Sequence, residues 1–148
     1  MSLEEWLEKG WIKSYKTTPR EIRNLLSIVN RDIRQSQIQG LDNDTKLSLA
    51  YNAALQCCAA VLSATGYRAS HEAYHYHLVQ SLRFTLKAES NLISTLDKFR
   101  KKRNINEYER AGTVSENEAE EMLQIAKDLR DKVKNWLRSN YPDLAKEI

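Results

Sequence analysis

The chain has 148 residues, 41% hydrophobic and 29% charged, with four Gly and two Pro. That length suits one domain with a sizeable core, and the composition is too apolar for a disordered chain and too poor in turn residues for an all-β fold. Lys and Arg number 23 against 20 acidic residues. The resulting net charge of +3 is too small to mark a nucleic-acid protein by bulk charge.

Leu3 to Lys9 reads as a short first helix. Its Glu4, Glu5 and Glu8 stand where a signal peptide would carry a basic segment. Thr18-Pro19-Arg20-Glu21 supplies an N-cap, a proline at the first helical position and a glutamate three residues after the cap. The stripe Ile22, Leu25, Leu26, Val29, Ile33 follows at helical spacing and is expected to stop at Gly40. Asp42 or Asp44 then opens a long small-residue helix. Its face of Leu47, Ala50, Ala54, Cys57, Val61 and Ala64 ends at Gly66, and its alanines invite neighbours on several sides. This is the expected central helix. Its most apolar stretch, Ala53 to Leu62, is interrupted by Gln56 and is about half of what a bilayer needs, so no membrane span is expected.

Ser70 can cap a fourth helix over Glu72 to Leu86. Ser90 or Asn91 can open a fifth, carrying Leu92, Ile93, Leu96 and Phe99. Ser115 and Glu118 form a capping box for the last helix. Its stripe runs Ala119, Met122, Leu123, Ala126, Leu129, Val133, Trp136 and Leu137, with Pro142 beyond its end. No segment alternates like a strand. The expectation is one all-α domain over residues 1–148, a bundle of five or six helices with Leu26, Val61, Leu123 and Trp136 in its core. The only cysteines, Cys57 and Cys58, are adjacent and sit on an apolar face, which suggests core thiols in a reducing, cytoplasmic compartment.

Three features bear chemistry. Lys98, Arg100, Lys101, Lys102 and Arg103 place five cations in six positions and run into Asn104 and Tyr108. Such a run either engages phosphates or is a solvated helix end, with Arg103 pairing Glu107. His71, His75 and His77 interleave with Tyr74 and Tyr76. His71 and His75 would share a helix face, but no third ligand accompanies them, so no metal is assigned. The cluster reads as a polar or partner-facing surface, with a histidine acting as acid or base as the alternative. Tyr51 and Asn52 are either buried and hydrogen-bonded or reach a surface groove.

Leu96-Asp97-Lys98-Phe99-Arg100-Lys101-Lys102-Arg103-Asn104, then Tyr108, Gly112 and the capped helix from Ser115, resembles the C-terminal half of HEPN domains. Gly40-Leu41, the run from Ala50 to Leu55 and Gly66-Tyr67-Arg68 resemble a prokaryotic subgroup of that superfamily, so the likeness spans about Leu3 to Leu137. It implies an antiparallel bundle with a four-helix up-and-down core that commonly dimerises. It also implies metal-independent endoribonucleases or toxins of toxin–antitoxin pairs, often beside a nucleotidyltransferase partner, with no cofactor. The family's hallmark is an Arg, a polar residue and, four to six residues after the Arg, a His. Arg103 and Asn104 match the first two, and Tyr108 stands at the His position.

In the implied chemistry an RNA 2′-hydroxyl attacks the adjacent phosphate, the Arg stabilises developing charge and the His moves a proton. A tyrosine with a pKa of about 10 is a poor base near neutral pH, although it can hydrogen-bond a phosphate or stack on a base. Five residues along an ideal helix rotate a side chain by about 140°, so Arg103 and Tyr108 share a face only if the helix bends or ends near Asn104. A homodimer could bring two copies of the segment into one groove. Two readings therefore stand. One is a module binding RNA, nucleotide or a nucleotidyltransferase-type antitoxin partner, with Lys101, Lys102 and Arg103 as phosphate contacts. The other is a ribonuclease using Arg103, Asn104 and Tyr108, with His71, His75 or His77 as accessory.

Overall fold

Side-chain caps start most of the long helices. In the computed structural model Ser2 accepts the Glu5 amide at 3.2 Å and opens α1 (Leu3–Glu8), and the chain passes through β1 (Ile12–Ser14). Thr18 accepts the Glu21 amide at 3.2 Å at the head of α2 (Pro19–Ser36). Asp42 accepts the Thr45 amide at 2.7 Å at the head of α3 (Asn43–Ala64). After β2 (Tyr67–Ala69) come α4 (Tyr74–Thr85) and α5 (Ser90–Tyr108). The reciprocal Ser115–Glu118 capping box then opens α6 (Glu116–Asn140). The structure describes residues 1–108 and 112–148, the side chains of 105–108 excepted. Among these the fold is an all-α bundle of six helices carrying one two-stranded ribbon.

α3 is the central helix. Its whole expected face is buried, and so are Tyr51, Ala53, Leu55, Cys58, Ala60 and Leu62 around the rest of the cylinder. It packs on α2, α4, α5 and α6. By length and composition α3 could cross a bilayer, being 22 residues with a mean hydropathy of 1.4 in its most apolar window. That length exceeds the Ala53 to Leu62 run judged from sequence. Of that window 67% is spent inside the bundle, which is how a core helix behaves. Burial also pushes the Cys57 thiol up to about 12 and raises that of Cys58.

Ion pairs and hydrogen bonds fix the helix directions. Asp32, 1% exposed on α2, accepts from Asn52 on α3 at 2.6 Å and is paired with Arg31 at 3.1 Å. Asn52 is thus half-buried and hydrogen-bonded to a carboxylate of the interior. α5 and α6 run antiparallel and are bridged by ion pairs, Lys98–Glu121 at 3.8 Å and Lys102–Glu118 at 3.5 Å. Lys46 meets Glu120, and Asp44 accepts the Gly112 amide at 2.6 Å, so the first turns of α3 and α6 lie side by side.

Four details differ from the sequence reading. The ribbon was not foreseen: Ile12, Lys13 and Ser14 pair antiparallel with Ala69, Arg68 and Tyr67. Three residues per strand are too few for a period-two pattern to show. α2 ends at Ser36 and not at Gly40, where the Ser36 hydroxyl (2.7 Å) and the Gln37 side-chain carboxamide (3.0 Å) both donate to the Ile33 carbonyl. α4 starts at Tyr74, behind Ala73 at φ +52° with no side-chain cap. Ser70 is occupied elsewhere, its hydroxyl donating to the Gly10 carbonyl at 2.7 Å. Finally, Trp136 is half-buried against Tyr141, while its neighbour Leu137 takes the core position. The two lie about 100° apart on the helix, and it is Leu137 that is fully buried there.

Candidate nucleic-acid interface

The apolar register of α5 decides which of its cations can reach the interior. Ile93, Leu96 and Phe99 are buried, and Arg103 follows Phe99 by one turn, so it leaves the helix on the packed side. There its guanidinium lies 5.5 Å from the ring centroid of Tyr51 on α3. Such a contact approaches 2 kcal/mol when desolvated. Tyr51 is fully buried, so the contact holds the guanidinium in place. One turn earlier, Arg100 sits 5.5 Å from the ring centroid of Tyr76 on α4, and Tyr76 is 41% exposed. His75, beside it on α4, places its ring 6.3 Å from Tyr51. Three helices therefore bring two guanidinium groups, two tyrosine rings and an imidazole together.

The other cations lie differently. Lys101 is exposed and reaches Asp97 at 3.4 Å, and Lys102 is held by Glu118. The Lys101–Asp97 pair, with its lysine in solvent, contributes about 0–1 kcal/mol, and Lys102–Glu118 is half-buried. Arg100 donates to Asp97 at 2.8 Å. Partial burial pushes the Asp97 carboxyl up, but Arg100 and Lys101 outweigh it and leave it below its ordinary value. The Tyr51 hydroxyl has no hydrogen-bond partner among the described residues. Burial pushes its pKa up, Cys58 adds to that, and Arg103 and Arg100 pull it partly back, so the phenol stays neutral.

Of the residues singled out from sequence, Arg103 enters this cluster, Lys101 and Lys102 leave the same helix toward Asp97 and Glu118, and half-buried Asn104 follows Arg103. The side chain of Tyr108 lies outside the described residues, as does that of Glu107 in the expected Arg103–Glu107 pair. The backbone of α5 runs on through Tyr108, so the helix does not end near Asn104, and about 140° still separates the two positions. The histidines part company. His71 is exposed and precedes α4, so it does not share a helix face with His75. His75 turns to Tyr51, whereas His77 stacks on Trp11 at 5.0 Å. Among the described residues no three His, Cys, Asp or Glu side chains are grouped to hold a metal ion. The sequence placed Arg100 in the cationic run and left Tyr51 open between the interior and a groove, but it did not join these, or Tyr76, to Arg103. The signal for both arginines was the basic run itself, and the one-turn spacing of Arg103 from Phe99 puts it on the packed side.

No family model, no curated protein and no solved structure matches the chain.

Proposed function

We propose that the chain is a HEPN-like module that binds RNA, with Arg103 as its phosphate-holding group. The observation that carries this reading is the convergence of Arg103, Tyr51 and His75 from three helices beside the Arg100–Tyr76 pair. A fixed guanidinium grips a phosphate through two parallel hydrogen bonds, and an exposed tyrosine offers a stacking face to a base. Lys101 and Lys102 add rim attraction that salt screens. The same reading includes a reducing cytoplasmic setting, a homodimer with two Arg103 segments near its axis, and a nucleotidyltransferase-type partner. Fluorescence anisotropy with a short single-stranded RNA tests it. Arg103→Ala should weaken binding about tenfold or more, and Lys101→Ala only a fewfold. An Arg103→Ala protein that binds as the wild type does would overturn the reading.

A second reading, a metal-independent ribonuclease, is favoured by one observation: His75 stands against Tyr51, where Arg103 also packs. Neutral His75 would take the proton of an attacking 2′-hydroxyl as the new P–O bond forms. The resulting imidazolium would return that proton to the departing 5′-oxygen while Arg103 balances the phosphoryl charge. This supplies the proton-transfer group that Tyr108 does not. His75→Ala should abolish cleavage and keep RNA binding, and Tyr108→His should not be needed for activity.

A further inference from the structure

A second cavity lies away from the cationic edge, between the first half of α2, the second half of α3, the β1–β2 ribbon and the start of α4. It is a cleft of about 270 Å³. Ligand pockets run from about 300 Å³ upward, so its size suits a ligand of one or two rings. Its apolar walls come from Leu25 and Ile28 on α2 and from Ala59 and Leu62 on α3. Tyr15, Tyr67 and Tyr74 add aromatic surface from three different segments. A flat, partly apolar guest fits such walls better than a flexible chain.

The charges in the cleft are already engaged. Glu21 accepts from the Tyr15 hydroxyl and from the Thr17 hydroxyl at 2.9 Å. The Arg68 guanidinium lies 5.6 Å from the centroid of the Tyr15 ring. One anion and one cation thus balance, and a charged ligand gains little. Besides the Tyr67 and Tyr74 hydroxyls, what remains for recognition is a pair of carboxamides, exposed Asn24 from α2 at the mouth and half-buried Gln56 from α3. Neither hydrogen-bonds another described residue. Each carboxamide offers donors and an acceptor side by side. The complementary edge is one that alternates ring nitrogen, exocyclic amine and carbonyl, the pattern by which Asn and Gln read bases.

We propose that this cleft binds a single uncharged planar heterocycle, a free nucleobase or nucleoside, with its hydrogen-bonding edge toward Asn24 and Gln56. The site is separate from the Arg103 edge and does not depend on the function proposed for it. A base carried on an RNA strand presents the same edge, and the experiment distinguishes the two sources.

Adenosine, guanosine, cytidine and uridine are titrated into the full chain and followed by side-chain amide NMR signals. At least one should saturate below about 10 mM, shifting the Asn24 and Gln56 amides. Gln56→Ala should weaken it about tenfold or more, because a site built on hydrogen bonds rejects a mismatch strongly. Asn24→Asp keeps the shape of the side chain but replaces donors by acceptors, and should change which nucleoside binds best. Arg103→Ala should leave the titration unchanged. Circular dichroism confirms that each variant is folded. Failure of all four nucleosides to saturate would overturn the proposal, as would loss of binding in Arg103→Ala with Gln56→Ala unaffected. If RNA binding falls in Gln56→Ala while free nucleosides do not bind, the base belongs to a strand and the free-ligand proposal is wrong.

Discussion

The two faces of α4 carry the same residue type to opposite uses. His75 and His77 are two positions apart, about 200° around the helix. His75 faces Tyr51 at the cationic edge. His77, 8% exposed, is enclosed by Trp6 at 5.3 Å and stacked on Trp11 at 5.0 Å, and its Nδ1 has no hydrogen-bond partner among the described residues. Trp6 also packs on Phe84 at 5.2 Å, so this second face fastens α1 and the ribbon to the bundle. A half-buried histidine against Tyr51 stands at the edge where the guanidinium groups gather. One sealed among indoles holds the fold. Composition alone makes the two equal, and only the helix phase separates them.

The difference can be broken from either side. Trp6→Ala should have the largest effect, about 3–5 kcal/mol in a urea melt, because it empties the space between Trp11, His77 and Phe84. RNA affinity of the folded fraction should remain. If RNA affinity collapses with it, the two faces are not independent. His75→Ala should do the reverse, lowering RNA affinity by about 1 kcal/mol while stability moves by no more than about 0.5 kcal/mol. A large loss of stability would make His75 structural as well.

A smaller effect comes from acid. Burial lowers the His77 pKa in the folded state, partly opposed by the backbone and charge of Glu72. The unfolded chain, at the ordinary value of about 6.5, therefore takes up the proton first as pH falls. Stability is complete above that value and declines below it. Urea midpoints at about pH 7.5 and about pH 5.5 should differ in the wild type and converge in His77→Gln. The carboxyls of Glu21, Asp97 and Glu118 titrate below their usual values and do not contribute in this window. Equal pH sensitivity in both proteins would sink the assignment.

The smallest change is expected from Tyr51→Phe. The lost hydroxyl is buried with no partner among the described residues, so stability should hold or rise by up to about 1 kcal/mol, and the ring under Arg103 is kept. A loss of RNA binding without loss of stability would assign the phenol to the ligand.

How much of this was legible depends on the range of the interaction. Thr18 and Ser115 announce their helices because a cap is local, spanning three residues. The burial of α3 on most of its circumference follows from its small residues. The ribbon was invisible, since Ile12 finds its partner in Ala69 far along the chain. So was the start of α4, because Ser70 spends its hydroxyl on Gly10. In the site, Arg103 was found from the basic segment. Tyr51 and His75 reach it only through the packing of α3 and α4 against α5, and no spacing in the sequence encodes that. Asp32, a buried carboxylate answered by Asn52, was likewise hidden in a helix whose pattern reads as simply amphipathic.

The paired thiols of α3 give the molecule its own clock. Cys57 and Cys58 are fully buried on α3, which four helices surround, so fraying of a terminus should not expose them. A disulfide reagent added to native protein should therefore react only with chains that have opened as a whole, and at high reagent the labelling rate becomes the opening rate itself. Both sulfurs should label together. Labelling of one well before the other would reveal a partly opened state in which α3 has lost some neighbours and kept the rest.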